Sequence, residues 1–184
     1  MNLQEFYLLE ALKEQSKLNL SYKTDHLSGV NYINNIKVPL TFPIRILDFI
    51  SKTKKTKKTN YCFIGTITKK RNWVKDYNKN SIIIASNRGR DNSKKFDIDE
   101  KYYQTLCESK FCLTPVGECN WSYRFFEAIM CHSIPIVEDN SLDIFKDDYI
   151  YFYHNETHTY TEKAVLNNYQ KFVSSNHFLS NVFT

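Results

Sequence analysis

Residues 109–140 read SKFCLTPVGECNWSYRFFEAIMCHSIPIVEDN: a strand, a loop, a helix and a second strand in succession. The first strand centres on Phe111-Cys112-Leu113 within Lys110–Thr114, and Pro115 closes it. A loop carrying Gly117 leads into a helix over about Trp121–Cys131, which sets Phe126, Ile129 and Met130 on one face. Ile134–Val137 is the next apolar run, ending at Glu138-Asp139-Asn140. Two strands apolar on both faces and joined by a helix predict a parallel pair with layers above and below it.

The same alternation extends on either side. Upstream, Tyr61–Ile64 is a short apolar run ending at Gly65, and Ser81–Ala85 is another, followed by the polar stretch 86–91. A helix is expected to start near Asp97 or Asp99, with Tyr103, Leu106 and Cys107 on one face. Downstream, a strand is expected at Tyr149–Phe152 and a last helix near Glu162–Val173. Residues 2–17 have a helical pattern, which breaks up from His26 to Ile50, where Pro39 and Pro43 bracket Leu40-Thr41-Phe42 before a short helix at Ile44–Ile50. Lys52, Lys54, Lys55, Lys57 and Lys58, interleaved with Thr, read as a solvated linker rather than a patch for anionic membranes. The expected architecture is α/β, a Rossmann-like parallel sheet with helices on both faces over residues 60–184. Residues 1–59 form a helical and irregular arm in this reading.

Composition narrows the class. A hydrophobic share of 42% with 24% charge is ordinary for a globular chain of 184 residues. The formal charge of +5 suits a phosphate-bearing ligand as well as nucleic acid and decides nothing alone. The five cysteines include no Cys-x-x-Cys pair, the first residues lack a secretory pattern, and no apolar run reaches membrane-spanning length. The expectation is a reduced, cytoplasmic protein with buried structural thiols. Asp97-Ile98-Asp99 reads as a helix cap rather than a divalent-metal pair, and His132, His154, His158 and Glu156 are too scattered for a metal site. Neither metal nor cofactor is expected.

The chemistry concentrates around the helix after Gly117. In open α/β sheets ligands bind beyond the carboxyl ends of the strands, where helix N-termini converge. Backbone N–H groups around Trp121 and Ser122 would be available to an anion there, and Gly117 would let the loop approach it. Ser122 adds a hydroxyl, Arg124 a forked guanidinium suited to a diphosphate, and Glu127 acceptors suited to the two hydroxyls of a ribose. Spacing alone equally allows Arg124 and Glu127 to be an ion pair on a helix surface.

Ser109–Gly117, followed by Ser122-Tyr123-Arg124-Phe125-Phe126-Glu127-Ala128 and then Ser133–Val137, resembles the signature of the exostosin family. Three consecutive elements match in order over about thirty residues, and the likeness extends loosely from Tyr61 to about Tyr153. The resemblance implies one half of a GT-B fold in an inverting glycosyltransferase that uses nucleotide sugars without a bound metal. It implies that Arg124 contacts the diphosphate and Glu127 the ribose. It also implies, more loosely, that Gly65 at a strand end and Arg71 soon after face the donor phosphates. By their own position at the end of the second strand, Ser86, Asn87 and Arg88 are candidates to line the nucleoside side of the crevice. Two positions depart from the pattern: Cys131-His132 stands where the family often has a Gly, and Val116 where it commonly has an Arg.

A complete GT-B enzyme has two such domains, and this sequence has room for one. The first reading is a donor domain binding a UDP- or GDP-sugar, acting on a glycan or glycoside acceptor, with a further domain or subunit able to supply the acceptor surface. No general base can be named. A noncatalytic nucleotide-sugar-binding or interaction module is the second reading. A nucleic-acid-binding protein is the third, but no aromatic-basic strand motif supports it, so nucleic acid is not an expected partner.

Overall fold

The computed structural model describes residues 2–77, 81–85, 98–117, 119–138 and 148–182. Its centre is a five-stranded, wholly parallel sheet in the order β5-β4-β6-β7-β8. The strands are β4 (Thr59–Gly65), β5 (Ser81–Ala85), β6 (Ser109–Leu113), β7 (Ile134–Val137) and β8 (Phe152–Tyr153). The helices around it are α3 (Glu100–Cys107), α4 (Tyr123–Met130) and α5 (Glu162–Ser174), with a 3-10 helix over Lys69–Tyr77. The expected α/β, Rossmann-like architecture is therefore the observed one. Asp99 caps α3 as expected, accepting from the Tyr102 N–H at 3.0 Å, whereas Asp97 and the triplet 86–88 lie outside the described residues.

Alternating strand residues feed two cores. Cys62, Cys112 and Val137 face a layer built from α2 (Ile44–Lys52), α3 and α4, joined by the C-terminal part of α5. Phe63, Phe111, Leu113, Ile134 and Ile136 face the opposite side, under Val74 of the 3-10 helix and Ala164 and Val165 of α5. Strands apolar on both faces are what a doubly covered sheet requires.

Within the arm, α1 (Leu3–Glu14) is capped by Asn2, whose side chain accepts from the Glu5 N–H at 2.9 Å. An antiparallel meander of β1 (Tyr22–Asp25), β2 (Val30–Ile33) and β3 (Ile36–Val38) follows, its last two strands inside the stretch from His26 where the apolar pattern breaks up. Asn34 and Asn35 both take positive φ, the two-residue turn that tight hairpins favour, so this pair was the overlooked signal. Tyr7, Leu40 and Phe42 from the arm sit in the same core cluster as Phe126 and Phe172. The imidazole of His177 lies among Phe42, Phe126 and Phe172, its Nδ1 2.7 Å from the Leu40 carbonyl.

The Lys/Thr run is not uniformly solvated, as the linker reading had it. Lys57 turns inward, its Nζ 2.8 Å from the Cys107 carbonyl, 3.3 Å from that of Cys131 and 3.4 Å from Ser133 Oγ. It thus joins the C-terminal ends of α3 and α4, where a cation meets the negative end of each helix dipole. Burial lowers its pKa to about 8.

At the end of α4, His132 adopts φ 59°, while its N–H reaches the Ile129 carbonyl and that of Ser133 reaches Ala128. These two bonds form a Schellman close with histidine in the left-handed position that glycine favours.

Candidate functional site

The strand order has one switch point. From β4 the chain crosses to β5 through the 3-10 helix on one face, and from β6 it crosses to β7 through α4 on the other. The loops after the neighbouring strands β4 and β6 diverge, and such a gap is where open α/β sheets bind ligands. A cleft of about 350 Å³ lies there. All six residues named from the sequence line it: Gly65, Arg71, Gly117, Ser122, Arg124 and Glu127.

Arg124 leaves the first turn of α4 and crosses to the end of β4. Its Nη2 donates to the Ile64 carbonyl at 2.9 Å, and its guanidinium carbon lies 4.6 Å from the centroid of the Phe63 ring. Its Nε is buried with no hydrogen-bond partner among the described residues. Gly65 makes this route available, because a Cβ there would come within 2.7 Å of Nη2. Arg71 approaches the neighbouring loop, with Nε 2.8 Å from the Val116 carbonyl and Nη1 3.1 Å from that of Thr66. Arg71 thus sets a cation beside the backbone of Val116, whose own side chain carries no charge. A Cβ at Gly117 would meet only ordinary contacts, the nearest being Arg71 Nη2 at 3.6 Å, so packing within the protein does not demand glycine there.

Glu127 does not pair with Arg124 on the helix surface. It is 1% exposed, and three phenols donate to its carboxylate: Tyr7 and Tyr103 to Oε1 at 3.1 Å each, and Tyr102 to Oε2 at 2.6 Å. A carboxylate this deep needs such donors, because leaving its oxygens unsatisfied costs more than any single bond returns. Ser122 is the N-cap of α4, its hydroxyl oxygen accepting from the Arg124 N–H at 3.2 Å.

Several lining residues were invisible to sequence reasoning. Leu3, Gln4 and His26 come from the arm, about a hundred residues before α4, and no local pattern links them to it. Glu138, at the end of β7, accepts from the Val116 N–H and the Trp73 indole, both at 2.9 Å, and so fixes the loop after β6. Trp121 stands against the β1–β2 turn, donating from Nε1 to the His26 carbonyl at 2.9 Å beside Gly29, whose φ of 65° and missing Cβ admit the indole.

Compared with known proteins, residues 9–183 match the model of the exostosin GT47 domain, nearly the whole chain. The chain belongs to the exostosin GT47 family. No curated protein matches it. Membership in the exostosin GT47 family implies glycosyltransferase activity in general, with a sugar donor and an acceptor as partners. The five-stranded parallel sheet is consistent with one half of a GT-B fold. Among the described residues, no helix is long and apolar enough to cross a membrane.

Proposed function

We propose that this chain holds a nucleoside diphosphate sugar, a UDP- or GDP-sugar, in the switch-point cleft. The sugar is transferred to a hydroxyl of a glycan or glycoside with inversion and without a metal ion. One observation carries the reading: two guanidinium groups from different elements converge on the ends of β4 and β6 beside the N-terminus of α4. The buried Nε of Arg124 is an orphaned donor that a phosphate oxygen would satisfy. Arg71, Ser122 and the loop at Gly117 complete the anion cradle. The ribose is assigned to Oε2 of Glu127, because Tyr102, its phenol donor, itself lines the cleft. Charge growing on the departing diphosphate is met by Arg124, Arg71 and the helix N-terminus.

In this reading residues 60–184 form the donor unit and residues 1–59 an arm, and a further domain or subunit can complete the acceptor surface. The buried free thiols fit a cytoplasmic setting. Calorimetry with UDP, GDP and a panel of their sugars tests the assignment. Saturable binding that weakens at least tenfold in both Arg124→Ala and Glu127→Ala is expected. Binding unchanged in both variants sinks it. Binding with no release of nucleoside diphosphate from any sugar donor would identify a noncatalytic module instead.

A further inference from the structure

Beyond the donor cradle, the arm brings a chain of buried polar groups to the cleft. Gln4, Asn31 and Thr41 are each 0% exposed, so their polar atoms must find partners inside the protein. Their bonds all run one way. Asn31 Nδ2 donates to the Pro39 carbonyl at 3.2 Å and to Thr41 Oγ1 at 3.1 Å, which leaves Asn31 Oδ1 as an acceptor. Gln4 Nε2 donates to that Oδ1 at 2.9 Å and to the Val30 carbonyl at 3.0 Å, with the Asp25 carbonyl at 3.3 Å. With three oxygens around it, this end of the amide must be the nitrogen, so Gln4 Oε1 is the atom that faces His26 Nδ1 at 3.2 Å. An amide oxygen only accepts, and Nδ1 must therefore carry the hydrogen. In the neutral ring Nε2 then holds the lone pair.

The rest of the surroundings hold His26 still. Its ring stands edge-on to Trp121, 5.4 Å between centroids and 77° between planes, and its carbonyl takes the Trp121 indole hydrogen. The Asp25 carboxylate braces the following turn by accepting from the N–H groups of Leu27 and Ser28. His26 lines the same cleft as Arg124 and Ser122. A ring with one nitrogen committed to an oriented, buried partner and the other basic is the arrangement of a general base with its orienting group.

We propose that His26 is the general base of the transfer and Gln4 its positioning residue; the inference rests on the donor-site reading above. The acceptor oxygen bonds to the anomeric carbon while His26 Nε2 takes the hydroxyl proton. The bond from that carbon to the phosphate oxygen breaks, and its electron pair leaves on the nucleoside diphosphate. The imidazolium then returns its proton to water.

The test uses the full chain in three measurements. Long-range ¹H–¹⁵N NMR, with His26 assigned through His26→Gln, is expected to show hydrogen on Nδ1, the minority tautomer of free imidazole, and Gln4→Leu is expected to lose that preference. Calorimetry with UDP and GDP is expected to give, for whichever nucleotide binds, dissociation constants within threefold for wild type and His26→Gln. Release of UDP or GDP from the sugar panel, with water as acceptor, is expected to fall at least 100-fold in His26→Gln, the range that loss of a general base produces. Hydrogen on Nε2, turnover retained within threefold, or no turnover in the wild type each overturns the assignment of a base. A wild type that binds neither UDP nor GDP overturns the donor reading itself.

Discussion

Replacing Gly65 by Ala isolates the contact that sets the arginine of the cleft. Gly65 does not have a positive φ, so alanine can adopt the backbone, but its Cβ would come 2.7 Å from Arg124 Nη2 and 3.3 Å from Phe63 Cζ. The first distance is impossible and the second merely tight. Because the guanidinium ends a flexible side chain, it moves and the strand stays. The displacement breaks the bond from Nη2 to the Ile64 carbonyl and lifts the cation from the Phe63 ring. A charged hydrogen bond contributes about 1.5–3 kcal/mol and a cation–π contact about 0.5–1 kcal/mol. Arg124 is half-buried and regains water when displaced, so the net destabilisation is expected to be only about 1–2 kcal/mol. In an Arg124→Ala background the same substitution meets no guanidinium. There it is neutral or stabilising, since alanine at a backbone conformation it can adopt restricts the unfolded chain more than glycine does, by roughly 0.4–1 kcal/mol. Urea unfolding of the four proteins in this cycle measures the coupling. An equal cost of Gly65→Ala in both backgrounds would refute the reasoning and put the collision elsewhere. On the proposed function, Gly65→Ala also weakens UDP binding about tenfold, equivalent to about 1.4 kcal/mol.

Two further outcomes are expected. Burial holds the pKa of His177 down to about 4, below its usual 6.5, so the unfolded chain binds the extra proton first as pH falls. The stability lost between pH 6.5 and 4 through this group is roughly 3 kcal/mol. His177→Gln should flatten the urea-unfolding profile across that window, and an unchanged pH dependence would contradict the assignment. His132→Gly should raise stability by about 0.5–1 kcal/mol by relieving the left-handed backbone, the lost contact with the Tyr169 ring at 4.4 Å offsetting part of the gain. A lower melting temperature would show that the ring contact outweighs the strain.

The parallel sheet was legible because its strands are short apolar runs punctuated by Gly65 and Pro115, and α3 because Asp99 precedes its apolar face. Arg124 and Glu127 were legible as an informative pair but not in their surroundings. Periodicity places both on one helix, yet it cannot say that one crosses to β4 while three tyrosines surround the other. The arm was the least legible part. Its polar residues look like those of any exposed segment, and only the tertiary packing makes Gln4, Asn31 and Thr41 interior. Lys57 misled for the same reason, since a lysine among threonines carries no sign that two helix ends await it.

The phenol of Tyr7 on Glu127 gives the match to residues 9–183 a practical meaning. A protein trimmed to that span would keep the whole recognisable signature while α1 lost its first turns, and with them both Tyr7 and Gln4. The carboxylate on α4 would then lack one of its hydroxyl donors, and the hairpin bearing His26 would lose the amide that orients it. Expression vectors for this chain should therefore keep residues 2–8 rather than start at the edge of the matched region.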